Sequence, residues 1–106
     1  MAYLAEFPKA DPQIVSLGGI PIGRLLINRG EKEIRLVDIS ILPQCRNTGI
    51  GSLLVRRVQK EAAALRLPVV LHVLRSNPAL RLYERLGFLK LGDNGPYVRM
   101  KWSSGG

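Results

Sequence analysis

Two strings in the chain carry residue types and spacings that do chemistry: Arg46-Asn47-Thr48-Gly49-Ile50-Gly51, and Asn77-Pro78-Ala79-Leu80-Arg81-Leu82-Tyr83-Glu84-Arg85-Leu86-Gly87-Phe88. The first opens a helical run. A loop that presents consecutive backbone N–H groups at a helix N-terminus binds phosphate, because the unpaired amides and the positive end of the macrodipole both favour negative charge. Gly49 and Gly51 let such an anion reach the backbone without meeting a Cβ. The second string supplies Tyr83, a phenol that stays protonated at neutral pH and can donate to a departing group.

Two rival nucleotide loops are excluded by their own requirements. A P-loop places Lys-Ser or Lys-Thr after its last glycine, whereas Ser52-Leu53 follow Gly51. A Rossmann turn needs a third small residue where Leu54 stands, and an acid at the end of the next strand, which is absent. Taken alone, the first string is also compatible with a purely structural glycine turn before an amphipathic helix.

The elements that must position these residues follow from the pattern. Residues 13–17 and 22–28 are β-rich and separated by Gly18-Gly19-Ile20-Pro21, which predicts a hairpin. A polar turn at Arg29-Gly30-Glu31-Lys32 leads into a third strand, residues 33–42, stopped by Pro43. Over residues 49–66 the apolar positions Ile50, Leu53, Leu54, Val58, Ala62 and Leu65 fall on one helical face, with Arg56, Arg57, Gln59, Lys60 and Glu61 opposite. Pro68 marks the exit, and residues 69–74 are apolar almost throughout, as in a strand covered on both faces. Strand, helix, strand implies a parallel crossover. Ser76 or Asn77 can cap a second helix, Pro78 suits its first turn and Gly87 its left-handed end. Residues 88–91 and 97–102 read as a closing hairpin, and residues 103–106 as a flexible tail. The expected fold is α/β with a mixed sheet: three antiparallel strands, helix, parallel strand, helix, C-terminal β-hairpin.

With 106 residues the chain is read as one domain, 1–106. An apolar fraction of 46% with 23% charged residues is globular composition. No run is long and apolar enough to span a membrane, the first residues do not read as a signal peptide, and a lone Cys45 cannot form an internal disulfide; a cytoplasmic setting is expected. The net charge of +8 draws polyanions, either a phosphorylated cofactor or nucleic acid. Nucleic acid is the poorer candidate, because the basic residues form no dense run and aromatics are only 6%.

Both strings resemble the GNAT superfamily of acetyl-CoA-dependent N-acetyltransferases. Arg46, Gly49 and Gly51 match its Arg/Gln-x-x-Gly-x-Gly/Ala signature. Asn77, Ala79 and the run Leu82-Tyr83-Glu84-Arg85-Leu86-Gly87-Phe88 match its later helix, in the expected order. The resemblance implies acetyl transfer from acetyl-CoA to a small-molecule or peptide primary amine, by direct attack in a ternary complex, with no metal. It implies that Arg46, Asn47, Thr48, Gly49, Ile50, Gly51 and Ser52 hold the diphosphate, that the main chain near Ile41 and Leu42 pairs with the pantetheine arm, that Asn77 adds a cofactor hydrogen bond, and that Tyr83 protonates the leaving thiolate. Asp38 lies on the strand where the family often has an acid, and is either a base acting through water or a partner for an arginine. His72 is expected to be a hydrogen-bonded core residue, and Cys45 a packing residue.

The sequence departs from the family at its start, where a further strand and one or two helices usually precede the first hairpin. Only twelve residues do so here, within which residues 2–7 are read as a helix remnant. Those elements normally cover the sheet and help build the acceptor pocket. Their shortness predicts an uncovered apolar face that pairs with a second copy or another polypeptide. It also leaves an alternative function, a non-catalytic acyl-CoA-binding module without an acceptor site.

Overall fold

The computed structural model describes residues 10–105, so the helix remnant expected within residues 2–7 lies outside the described residues, as does Gly106. Strand β1 (Asp11–Leu17) turns through Gly18 and Gly19, at φ +59° and +81°, into β2 (Ile20–Arg29). Two successive positive φ angles make a hairpin turn whose twist matches its strands, and only glycine adopts them without strain. The turn is therefore tighter than expected: Ile20 and Pro21 already belong to β2, opposite Leu17 and Ser16, and β1 begins two residues early, at Asp11. Next come β3 (Ile34–Ile41), a single 3₁₀ turn (Pro43–Cys45), helix α1 (Ile50–Leu65), β4 (Val69–Leu74), helix α2 (Ala79–Arg85), β5 (Leu89–Asn94) and β6 (Tyr97–Trp102). The sheet order is β1-β2-β3-β4-β6-β5, parallel at β3–β4 and antiparallel elsewhere, so the closing hairpin pairs through its second strand.

Helix α1 lies on the sheet face formed by Leu25, Ile27, Ile34, Leu36, Val69, Leu71 and Val73, and buries Leu54, Val55, Val58, Gln59 and Ala62. That stripe is rotated from the one expected, leaving Leu53 and Leu65 more than half exposed. Arg29 ties the helix to the sheet edge. Its guanidinium donates to Glu61 at 2.6 and 3.0 Å and to Asp11 at 3.2 Å, and these bonds to Arg29 hold the Glu61 carboxyl below its usual range. At the C-terminus of α1 the chain turns at Arg66 in the left-handed region, φ +58°, without a glycine to relieve it.

Two features open a cleft in the sheet. Leu26 faces Asp38 while Ile27 faces Leu36, so Val37 is an extra residue in β3 and bends it. And β3 pairs with β4 over three positions only, Ile34 with Val69, Arg35 with Val70 and Leu36 with Leu71. Beyond them the two strands part.

The second sheet face differs from expectation. Strand β4 is covered on both faces only at its start; His72 and Leu74 are exposed. Arg35, Arg99 and Lys101 share that face with His72 by register, and so do the exposed Leu74, Tyr97 and Leu89, so its open part mixes cations with apolar side chains. The alternation of a strand explains this, since an all-apolar string hides which residues point to which side.

Helix α2 ends in a Schellman motif. Gly87 sits at φ +97°, its amide bonds the Glu84 carbonyl at 3.1 Å, and the Phe88 amide bonds Tyr83 at 3.0 Å. A Cβ on Gly87 would lie 3.3 Å from Trp102 Cδ1. Gly87→Ala is therefore expected to cost about 2–3 kcal/mol, from the left-handed penalty plus the displaced indole. Urea unfolding followed by the fluorescence of Trp102, the single tryptophan, measures it. Arg66→Gly should act the other way, stabilising by about 0.5–1 kcal/mol.

Candidate active site

The parting of β3 from β4 forms one wall of a cavity of about 800 Å³ that runs from the loop before α1 to the buried side of α2. Its first part is the loop itself. Asn47 and Gly49 adopt left-handed conformations, φ +60° and +87°, and Gly49 caps α1 with open space where a Cβ would be. Asn47 is among the non-glycine residues that tolerate this region best. Among the described residues, no backbone amide from Asn47 to Ser52 donates a hydrogen bond within the protein; the first amide of the helix to do so is that of Leu53, to Gly49 at 3.0 Å. The loop is held instead by its other groups. Arg46 Nε donates to the Ile41 carbonyl at 2.9 Å, and Thr48 Oγ1 to the Cys45 carbonyl at 2.6 Å. Six successive donors are thus left without protein acceptors at the positive end of a 16-residue helix.

Gly51 has a second duty. A Cβ there would stand 3.3 Å from Leu82 Cδ2 and 3.8 Å from Ile41 Cδ1, so its absence lets α1 approach α2 and the end of β3.

The edge of β3 supplies main-chain groups. The Leu42 amide is spent on the Ile22 carbonyl at 2.8 Å, and the Ile41 carbonyl is taken by Arg46. Strand alternation then turns the Ile41 amide and both main-chain groups of Ile39 toward the gap. These replace Leu42 as the groups open to a ligand.

At the far end, Tyr83 is 5% exposed and packs edge-on against Phe88 with ring centroids 5.6 Å apart. This is the apolar contact that accompanies the Schellman motif. Burial, aided by the charge of Asp38, pushes its phenol up to about 12. Asp38 lines the same cavity but is ion-paired, with Arg24 Nη2 at 3.4 Å. Asn77 caps α2: its Oδ1 accepts the Ala79 amide at 2.9 Å, which leaves the Nδ2 donors for another partner. His72 is not a core histidine. It is exposed on β4, lines the cavity, and its Nδ1 lies 3.2 Å from Arg35 Nη1.

The cavity thus brings together Asp38, Ile41, Arg46, Asn47, Gly49, Gly51, Ser52, Asn77 and Tyr83. Leu42, Thr48 and Ile50 are not among its lining residues. It adds residues that the sequence did not single out: Ile39, Ser40, Tyr97, Arg81 and Arg85. Of these, Arg81 and Arg85 carried a readable signal, two cations one helical turn apart in the second string. Among the described residues no group of three His, Cys, Asp or Glu could hold a metal ion, and no helix is long and apolar enough to cross a membrane.

Residues 10–90 match the acetyltransferase (GNAT) domain family. The fold is similar to that of the N-acetyltransferase PaiA from Thermoplasma acidophilum, solved in complex with coenzyme A: 17% identity, TM-score 0.79, covering 96% of this chain and 65% of that one. It is also similar to a GNAT family acetyltransferase from Elizabethkingia anophelis with acetyl-CoA bound (15%, TM-score 0.79, 96% and 82% covered) and to the ribosomal-protein-S18-alanine N-acetyltransferase from Escherichia coli (20%, TM-score 0.77, 90% and 69%). The chain therefore spans just under two thirds of PaiA. No curated protein matches the sequence.

The shift at Tyr83 has a consequence for stability. Its folded value of about 12 exceeds the unfolded value near 10, so its contribution is fully present below pH ~10 and is lost as pH rises toward ~12. The loss across that window should reach about 2–3 kcal/mol, two units at the usual conversion. Urea titrations at intervals from pH ~8 to ~12 should show Tyr83→Phe losing less stability than the parent over that range.

Proposed function

The chain belongs to the acetyltransferase (GNAT) domain family, and on that premise we propose that it transfers an acetyl group from acetyl-CoA to a primary amine. The observation that carries this reading is the run of unpaired amides at residues 47–52, at the mouth of a cavity whose far wall holds the buried phenol of Tyr83. Donors without protein partners, on a loop where Gly49 leaves the space open, fit a diphosphate. Arg46, Asn47, Thr48, Gly49, Ile50, Gly51 and Ser52 would hold it; Ile39 and Ile41 would pair with the pantetheine amides through their main chain, and Asn77 Nδ2 would donate a further bond. When bound, acetyl-CoA supplies an acetyl thioester, which is activated toward attack by nitrogen.

The residues around that thioester have two protons to manage. A primary amine with pKa near 10.4 is almost wholly protonated at pH 7, a handicap of roughly 4–5 kcal/mol. Asp38, a carboxylate lining the cavity, would accept the amine proton through water, and its charge would favour the amine's approach. Tyr83, which lines the same cavity, would serve the leaving sulfur. With a phenol near 12 against a thiol near 8.5, complete transfer to a solvated thiolate would run uphill by about 5 kcal/mol. In the same desolvated cleft a sulfur anion is also more basic than in water, which narrows that gap. Tyr83 thus acts first as a hydrogen-bond donor that strengthens as charge grows on sulfur, and passes its proton as the product leaves.

One observation favours the alternative of a module that binds without transfer. Asp38 is held by Arg24 and so is less available to an amine. Thiol release with a panel of amines decides between them, since binding is common to both readings. For the enzyme, Tyr83→Phe should lower kcat by about 10²-fold or more while leaving calorimetric affinity for coenzyme A within about twofold, and Asp38→Asn should lower kcat similarly. Gly49→Ala, which strains the cap at φ +87°, should weaken coenzyme A binding about tenfold or more. Absence of thiol release with every amine, with coenzyme A still bound, would leave the binding module standing.

A further inference from the structure

The cavity passes through the sheet. Ile39, Ile41 and Val73 line it from the side of α1 and α2, whereas Asp38, His72 and Leu74, which alternate with them along β3 and β4, line it from the opposite side. With α1, α2 and the amide loop on the first side, an acceptor reaches the thioester from the second. That side has a charge pattern of its own. At the exit stands the carboxylate of Asp38, paired with Arg24. Beside the exit three cations form an arc: Arg99 lies opposite the cavity-lining His72, Lys101 lies opposite Val70 on the β6 side, and Arg35 lies opposite Val70 on the β3 side. Arg99 and Lys101 are exposed. Gly92, level with Arg99 on β5, leaves room for its guanidinium, whose Nη2 would stand 3.3 Å from a Cβ there, so the charge lies over the sheet face. The acids nearest the arc do not neutralise it. Glu33 accepts from Arg35 at 3.1 Å, and Asp93, level with the buried Val98, lies by alternation on the helix side with Arg75 and Lys90.

We infer that the acceptor is the N-terminal amine of a peptide whose second or third residue is Asp or Glu. The inference rests on the acetyl-transfer reading and names the substrate class of that same site. Asp38 draws the ammonium end of such a peptide, and the arc draws the anion behind it. Asp38 lies three residues beyond Arg35 along β3, roughly 7–10 Å with the bulge between them. A free amino acid carries its carboxylate two bonds from the nitrogen, too close to serve both charges, whereas an acidic side chain one or two residues along an extended peptide spans the gap. Leu74 and Tyr97, exposed opposite one another beside the exit, give apolar surface to the first side chain. A basic peptide would set like charges against Arg99 and Lys101, which slows encounter and weakens binding.

Initial rates of thiol release with three peptides test this. All begin with the same alanine and carry Asp-Glu, Asn-Gln or Lys-Lys at the next two positions. The parent protein should show a kcat/KM about tenfold higher for the acidic peptide than for the neutral one, lower again for the basic one, with the gaps narrowing as salt is raised. Arg99→Glu/Lys101→Glu should reverse the order of the acidic and basic peptides, and the milder Arg99→Gln/Lys101→Gln should level them. Calorimetric affinity for coenzyme A should stay within about twofold in both variants, since neither residue lines the cavity. A parent that acetylates the three peptides equally, prefers the basic one, or turns over a free amino acid faster than the acidic peptide overturns the inference and leaves acetyl transfer standing. A preference that both variants keep also overturns it, as does sedimentation showing a dimer of the parent that the variants dissolve, which would assign the face to a second copy. Absence of thiol release with every amine removes the transfer reading itself, and this substrate class with it.

Discussion

The structure depends on how soon β3 and β4 part company. Three paired positions join them, anchored by Ile34 and Val69, which have no exposed surface, and α1 seals the apolar face beneath. Above that seam the extra residue Val37 turns β3 away, and on the β4 side the Ile41 amide and both main-chain groups of Ile39 are left without a strand to pair with. Unpaired strand groups inside a sheet are costly unless something supplies the missing bonds. The gap is therefore both a defect in the ladder and a slot for an extended ligand with amides of its own. The same divergence lets the N-terminus of α1 reach the slot's mouth, since the chain leaves β3 at Ile41 and reaches Ile50 after one 3₁₀ turn and the amide loop.

What fixes the phenol at the other end is the termination of α2. A seven-residue helix has little stability of its own, so its position is set by what it touches. Gln59 donates to the Leu86 carbonyl at 2.9 Å, which satisfies an end group of α2 from the interior of α1. Phe88 closes on Tyr83, and Gly87 lets the chain turn over Trp102. Most of the string Leu82-Tyr83-Glu84-Arg85-Leu86-Gly87-Phe88 thus serves to hold one ring still. Only the hydroxyl at its tip is left for chemistry.

This division explains what was legible in the sequence. Turns and helix ends were readable because they need particular backbone angles: Gly18 and Gly19 at the first hairpin, Gly49 before α1, Gly87 after α2. Asn77 was readable as a cap for the same local reason. Misreadings arose where the answer depends on a partner far along the chain. His72 looked like a core residue because its neighbours are apolar, yet strand alternation puts it on the face shared with Arg35 and Arg99. Leu42 lost its amide to Ile22, twenty residues earlier in sequence, once the β2–β3 register was set. Whether Asp38 met an arginine turned on the bulge at Val37, which no local pattern announces.

The net positive charge of the chain acquires a direction in the folded state. At the mouth of the cavity stand exposed amides and the cations Arg46, Arg81 and Arg85; at its depth stand an apolar ring and the carboxylate of Asp38. A ligand that is anionic at one end and neutral at the other can enter in only one orientation. Reversing it would bring phosphate charges beside Asp38 and strip the amide loop of its partner. Binding strength is thus concentrated where water still reaches, and the reacting end is left in the drier part of the cleft, where hydrogen bonds to a developing charge count for more. Arg24 completes the balance. By pairing with Asp38 it gives that carboxylate a counter-ion beside the phenol, whose proton is held by burial first and by the charge of Asp38 second.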